Sequence, residues 1–405
     1  MSRACCLAFR LLMLFAAVLA TSCSKDDITD HVDLERFERD LIEHTIRPWH
    51  DRALRPNGFF ATEFDRFWGP VEGYSDTLVY QSRLIYMMAL AYDVTGEPEF
   101  RRATEMAADF LLEHARDPES GQWYRRVAED GALVFGGLHP YGYTYVIFAL
   151  SHAYRVTERE GYLQAALETW QSDVWAGLTA ARQFASGQRI EPRESEAWSQ
   201  NPLLHLFEAL LALYEVTGND EVWNDVKAVA KFLDGRLLGP SGNFLPEWYD
   251  QNWQPLPDDA GGYVSLGHQM VWTFLLSRAV ELGLDPHYRA LAERLLDSAV
   301  ETGVRVEDGA LARRRDLAGE VRGREGGWWQ QCELMRALIH FAAGHGRADL
   351  WPLYDKASMY ARIHFADFEN GGWSLNSVLD GGRGRKAIGY HCVVMYQEAL
   401  RYRQK

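Results

Sequence analysis

The sequence predicts an all-α fold: an (α/α)6 barrel of about six helical hairpins, with short β-like loops on one face. Three observations carry this reading. Segments "ALAYDVTGEPEFRRATEMAADFLL", "ALSHAYRVTEREGYLQAALETW" and "LLALYEVTGNDEVWNDVKAVAKFL" echo one another, with Thr95, Thr157 and Thr217 recurring about every sixty residues. Each pairs a helix that is apolar nearly all round with one that is apolar only at i, i+3, i+4 and i+7. The links between pairs, "SGQWY", "SGNFLPEWYDQNW" and "NGGWSLNSVLDGG", are rich in glycine and aromatic residues.

The elements follow in chain order. Residues 1–22 read as a lipoprotein-type signal peptide: Arg3 and Arg10, then the apolar "LLMLFAAVLA", then small residues before Cys23. The apolar run is too short to span a bilayer as a helix. Cys23 becomes the lipidated N-terminus in this reading, and residues 23–32 a tether. The expected location is the cell envelope, with the membrane as a partner through the anchor. A helix at "DLERFERDLIEHTIRPWHD" opens a single domain over 33–405. Fainter hairpins follow the three clear ones at "LLSRAVELGLDPHYRALAERLL" and "ALIHFAAGHGRADLWPLYDKASMYA". Stacked helix pairs default to an open solenoid. Aromatic loops recurring on one end of the hairpins favour a closed ring around a shared pocket rich in Trp and Tyr, a surface on which sugar rings stack, although core packing also uses such residues.

Charge narrows the partners. The formal net charge is −15, and −17 without residues 1–22. Nucleic acid needs a basic face and is excluded as a partner. Of five cysteines, only Cys23, Cys332 and Cys392 follow the signal. The last two lie in apolar helical stretches and read as buried free thiols, not as a disulfide framework.

Polar residues open the apolar helices in a recurring way. Arg83 stands early in "YQSRLIYMMALAY", and Asn201, His205 and Glu208 lie in "SQNPLLHLFEALLALY". His268 opens "SLGHQMVW", Trp328, Trp329, Gln331 and Glu333 open "GGWWQQCELMRAL", and Lys386 and His391 open "KAIGYHCVVMYQEAL". A lone histidine on such a helix is most simply a satisfied core residue. Burying a polar group at the start of five helices, without a shared solvent-filled pocket, would cost a few kcal/mol each. The pattern therefore points to one site.

"NPLLHLFEALLALYEVTG", "GHQMVWTFLL", "WWQQCEL" and "KAIGYH", in that order over about Gln81 to Leu400, resemble the N-acylglucosamine 2-epimerase family, which includes cellobiose 2-epimerases and aldose–ketose isomerases. The resemblance implies an (α/α)6 barrel and a sugar 2-epimerase or aldose–ketose isomerase working through an enediolate without a cofactor. It assigns His268 and His391 as the acid/base pair and Arg83 as the oxyanion-stabilising group. Imidazole suits the task because its ordinary pKa is near 6.5, and a fixed cation suits a developing oxyanion. Glu333, His205, Asn201, Tyr141, Trp328, Trp329 and Lys386 are the implied contacts to a mono- or disaccharide.

Two positions depart from the family. Val271 stands where a glutamate is usual in "GHxxE", and Val394 where an arginine usually follows the second histidine. If the two faced each other across neighbouring helices, a buried ion pair would have been replaced whole, which is often neutral for stability. A carbohydrate-binding lipoprotein with a relaxed acid/base shell is the alternative that these valines favour. A glycoside hydrolase would need paired carboxylates, for which Asp250, Asp258, Asp259 and Glu333 are the candidates. No metal is expected: there is no HExxH, no CxxC and no second His/Glu pair beside His205 and Glu208.

Overall fold

A computed structural model describes residues 25–403, apart from 74–75, 190–196, 324–325 and 381–383. The signal segment and Cys23 lie outside the described residues. The chain opens with α1 (Lys25–His31) and α2 (Leu34–Arg39), which runs through a π-helical turn (Asp40–Ile46) into α3 (Arg47–Ala53). Five helix pairs follow: α4 (Thr77–Thr95) with α5 (Pro98–His114), α6 (Pro140–Thr157) with α7 (Glu160–Gln171), and, after α8 (Ala176–Ala185), α9 (Asn201–Thr217) with α10 (Asp220–Phe232). Then come α11 (Leu266–Glu281) with α12 (His287–Gly303), α13 (Trp328–His345) with α14 (Trp351–His364), and finally α15 (Tyr390–Leu400).

The inner helices α4, α6, α9, α11, α13 and α15 each pack on the next, and α15 packs back on α4, so the ring is closed. The sixth pair is not a hairpin. It is made by the first outer segment, α2 and the π-helical turn after it, lying against the last inner helix α15, so segments near the two ends of the described chain complete the barrel. The inner helices are buried nearly all round, whereas α5 buries one stripe, Phe100, Ala103, Thr104, Ala107, Phe110 and Leu111, at helical spacing.

The repeated threonines make the inner-to-outer turns. Thr95, Thr157 and Thr217 each donate a hydroxyl to the carbonyl four residues back, at 2.7–2.8 Å, and accept the backbone N–H two residues on. The residue in between is left-handed: Gly96 at φ 71°, Glu158 at 58° and Gly218 at 61°. Glycine suits two of these turns, and Glu158 holds the third at a steric cost.

The segment expected as a tether, 23–32, is docked in part. Ile28 and Val32 are buried, and His31 stacks on Trp351 at 4.7 Å while pairing with Asp355. The chain therefore lies against the barrel from Ile28 onward. Cys332 and Cys392 are buried free thiols, as expected. Among the described residues no helix is long and apolar enough to cross a membrane.

Candidate active site

Because every inner helix runs the same way round the ring, their N-termini share one face with the strand-bearing loops. Two of these loops are stitched together by pairing Trp198 with Tyr249 and Ser199 with Trp248. This register brings the Gln200 N–H to the Glu247 carbonyl and the Ser199 hydroxyl to Glu247 Oε1, at 3.1 and 3.0 Å. Glu247 Oε2 is then 2.7 Å from His268 Nδ1. His268 itself sits in the first turn of α11, its N–H capped by Ser265 Oγ. Gly267 before it is needed for close approach. A Cβ there would lie 2.4 Å from the Trp329 ring and 2.7 Å from Gln330.

Trp329, at the start of α13, is partly exposed and lies between the two predicted acid/base residues. Its ring centroid is 5.1 Å from His268 and 5.2 Å from His391, and Trp328 flanks His391 at 5.6 Å. His391 opens α15 and holds Glu333 Oε1 at 2.7 Å through Nδ1. His205 lies 6.5 Å from the His268 ring, with Glu208 3.1 Å from its Nδ1. Arg83 completes the group from α4, donating to the hydroxyls of Tyr145 and Tyr141 at 2.7 and 3.0 Å. The structure thus gathers Arg83, Tyr141, His205, His268, Trp328, Trp329, Glu333 and His391 at one end of the barrel. The Asn201 side-chain oxygen there is buried without a partner among the described residues, an acceptor left available.

Lys386 is placed differently. Its ammonium is taken up by Asp367 at 3.1 Å and by the Gly371 carbonyl, over the Trp68 ring. It anchors the loop before α15 and is not turned toward the histidines. The carboxylates weighed for hydrolysis also serve local structure: Asp250 caps a turn through Asn252 and Gln254, and Asp258 accepts from Leu317.

Below the histidines lies a second layer, reached by stepping three residues along each inner helix: Glu208, Val271, Arg336 and Val394. The expected Val271–Val394 juxtaposition is not found. They lie on α11 and α15, which are separated by α13, and α13 carries Arg336. Arg336 is buried, 3.4 Å from Glu333, 3.7 Å from Glu208 and 3.6 Å over the Phe274 ring. The cation that the family resemblance expects at 394 is thus supplied from a neighbouring helix in the same layer. Val394 lines the same cavity as Arg336 and Glu208.

One guanidinium between two carboxyls sets them apart. Burial pushes Glu333 up to about 7, with the charge of Glu208 adding and Arg336 opposing. Burial also works to raise Glu208, but His205, Arg336 and the Tyr390 hydroxyl at 2.6 Å hold it at about 2. Burial, then the positive charge of Arg83, keeps the His391 imidazole well below its ordinary value, and burial lowers His205 despite Glu208. His205 and His391 are therefore neutral at neutral pH and available to accept a proton.

Sequence reasoning missed Glu247 and Arg336. Glu247 comes from a loop whose pairing fixes it, which no helical periodicity reveals. Arg336 had a signal: an arginine inside a helix that is apolar all round has to find a carboxylate.

The comparisons agree with this architecture. A cellobiose 2-epimerase from Dictyoglomus turgidum is 22% identical over 342 residues, covering 79% of this chain and 84% of that protein. A mannose-6-phosphate isomerase from Rhizobium meliloti is 28% identical over 269 residues, covering 65% and 68%. The solved structure of the cellobiose 2-epimerase from Bacillus thermoamylovorans B4167 superposes with a TM-score of 0.79 at 19% identity, covering 91% of this chain and 98% of that one. The sequence pattern of N-acylglucosamine 2-epimerase (GlcNAc 2-epimerase) matches residues 58–388, and with most of the chain so matched, the protein belongs to that family of carbohydrate epimerases and isomerases.

Proposed function

We propose that the protein is a sugar 2-epimerase or aldose–ketose isomerase that works through an enediolate, with His268 and His391 as its acid/base pair. The observation that carries this is the pair of imidazoles on either side of Trp329, each with a carboxyl 2.7 Å from Nδ1. Glu247, accepting the His268 Nδ1–H, leaves Nε2 of that imidazole as a lone pair facing the site, whereas Glu333, pushed up by burial to about 7, holds a proton toward His391 Nδ1 and so turns the His391 Nε2–H to the site. One imidazole takes the proton from C2 of the open-chain sugar, and the electron pair moves onto the carbonyl oxygen. The resulting oxyanion is stabilised by Arg83, whose guanidinium is held by two tyrosine hydroxyls. Return of a proton to C2 from the Nε2–H of the other imidazole, as its Nδ1 takes the proton held by Glu333, gives the epimer, and exchange with solvent resets both pairs. Its return to C1, with the O2 proton passing to O1, gives the ketose. Trp329 supplies an apolar face on which the sugar stacks.

The reading of a relaxed binding protein loses its main support in this arrangement. Both valines sit in the second layer, where Arg336 and Glu208 already supply charge, and His268 draws its carboxylate from Glu247. The deciding experiment is incubation with mannose, glucose, cellobiose and N-acetylmannosamine in heavy water, following deuterium at C1 and C2. Uptake that accompanies interconversion in the parent, with interconversion lost in His268→Asn and in His391→Asn, supports the mechanism. Sugar binding without exchange for any of the four returns the protein to a carbohydrate-binding role.

On sequence grounds alone we also propose that Cys23 carries a lipid and holds the barrel at the cell envelope. Release of Cys23→Ser protein from the membrane fraction tests this, and unchanged partitioning rejects it.

A further inference from the structure

We propose that Glu281, His340 and His345 form a binding site for one divalent transition-metal ion of the zinc class, at the end of the barrel opposite the catalytic histidines. The ligand atoms of these three residues all lie within 4.8 Å of one another. His340 Nε2 and His345 Nε2 are 3.1 Å apart, and His345 Nε2 is 3.6 Å from Glu281 Oε1. Metal–ligand distances of about 2.0–2.1 Å in a tetrahedral site place ligand atoms about 3.3 Å apart. The observed spacings lie on both sides of that value. Ser277 Oγ, 2.8 Å from His340 Nε2 and 3.2 Å from His345 Nε2, stands where a fourth ligand or its water would be.

The surroundings are those that a metal site requires of its supporting residues. His340 is completely buried, and its Nδ1 is 2.8 Å from Glu398 Oε1, so its proton goes to the carboxylate and Nε2 carries a lone pair. Glu281 is held through one oxygen only. Its Oε2 accepts from Arg278 and from Arg401, both at 2.8 Å, which leaves Oε1 toward His345. Arg278 is also shared with Glu215 and Arg401 with Glu398, while the charge of Arg289 reaches His345 and opposes a cation there. Two imidazoles and one carboxylate select zinc, cobalt or nickel over magnesium or calcium.

Two imidazole nitrogens this close need something between them, a proton or a metal. Metal binding would displace that proton and tie α11 to α13, with α15 joined through Glu398. The site shares α13 with the catalytic end: Glu333, Arg336 and His340 follow one another at three- and four-residue steps down that helix. It holds no sugar-binding or acid/base residue, so its role is structural.

The test uses full-length protein stripped with a chelator and titrated with zinc chloride, and separately with cobalt chloride to read the tetrahedral absorption bands. One equivalent per chain is expected, with a rise in melting temperature. His345→Ala and Glu281→Gln should each weaken zinc binding by more than the about 10–100-fold typical of a lost supporting residue, and Glu398→Gln should fall within that range. His345 and Glu281 are not core positions, so the metal-free variants should melt close to the metal-free parent. If one of them does not fold, the other decides. Absence of stoichiometric metal means that a proton fills the gap and overturns the proposal. So does one equivalent that survives both substitutions, which would place the ion elsewhere, for instance among His205, His268 and His391.

Discussion

The two histidines proposed as the acid/base pair are built on opposite plans. His268 leans on Glu247, a residue of a paired loop at the rim, and its side chain is 16% exposed. His391 leans on Glu333, a residue of the neighbouring inner helix, in a pocket where imidazole, carboxyl and guanidinium are all buried. Both are braced at 2.7 Å, and on the His391 side burial raises the carboxyl and lowers the imidazole beside it. Separated protonation tendencies are how two like groups come to play the different parts of acid and base. In the proposed mechanism the rim histidine keeps a lone pair for proton abstraction. In the buried pair the proton rests on Glu333, which burial raises, and not on His391, which burial lowers.

The largest expected effect tests whether both halves are needed. His268→Asn and His391→Asn should each lower kcat for sugar interconversion by about 10²–10⁴-fold, the range for a lost general acid or base. They should differ in isotope exchange. If each imidazole serves one face of the sugar, one variant keeps wash-in of deuterium from one epimer only. Equal residual exchange from both epimers in both variants would mean a single histidine does both steps.

Next in size is the support of the His391 half. Arg336 is the one cation between Glu333 and Glu208 among the described residues. Removing one partner of a buried ion pair costs about 3–5 kcal/mol, so Arg336→Val should lower stability by that order in denaturant unfolding. Val394 lines the same cavity, so Arg336→Val with Val394→Arg should recover at least half of the loss. Val394→Arg alone sets two guanidiniums together and should destabilise. A double variant no better than Arg336→Val would show that the second layer cannot accept its charge from α15.

How much of this was readable in the chain depended on the range of the interaction. The hairpins were legible because burial imposes helical spacing within a dozen residues, and the threonine turns repeat the same local bonds at Thr95, Thr157 and Thr217. The histidines were legible because a polar residue at the start of an apolar helix is locally conspicuous. Glu247 was not, since its role depends on the loop register Ser199–Trp248, formed between segments far apart in sequence. Lys386 was misread for the converse reason: its position before the second histidine suggested the pocket, but Asp367 lies nearer and claims the charge. Whether Val271 and Val394 face each other stays open in the sequence, because the ring order of the helices, with α13 between them, is not written in either segment.

The carboxyl partners give a smaller, sharper contrast. Glu247→Gln keeps an oxygen for the His268 Nδ1–H but loses the charge that stabilises an imidazolium, and should lower kcat by about 10²-fold, less than the roughly 10⁴-fold loss of an aspartate behind a protease histidine. Glu333→Gln removes the group that burial pushes up to about 7. The pH profile of kcat/KM should therefore lose a limb near 7 in Glu333→Gln and keep it in Glu247→Gln. Stability carries the same sign. A carboxyl raised in the fold stabilises it at low pH, and that contribution is lost as pH rises through about 7. Relative to the parent, Glu333→Gln should melt higher at pH 8 than at pH 5. A melting difference independent of pH would mean that Glu333 titrates normally.

The smallest effect belongs to the residue joining the two halves. Trp329 touches both imidazoles, and Gly267 lets it do so: a Cβ at 267 would meet the ring at 2.4 Å and Gln330 at 2.7 Å, closer than real Cβ contacts allow. In Gly267→Ala the backbone around His268 is already fixed by the Ser265 cap and the Glu247 bond, so the ring has to give way. Moving it away from His268 presses it toward His391, whose pocket is already filled by Trp328 and Glu333. The sugar platform should then tilt, raising KM by about tenfold and leaving kcat within a few-fold, because both imidazoles keep their carboxyls. Trp329→Phe relieves the same contact by shortening the ring, so the double variant should regain affinity over Gly267→Ala alone. If instead kcat falls as much as in His268→Asn, the glycine serves to place His268 itself, and the rim half is held less firmly by Glu247 than its 2.7 Å contact indicates.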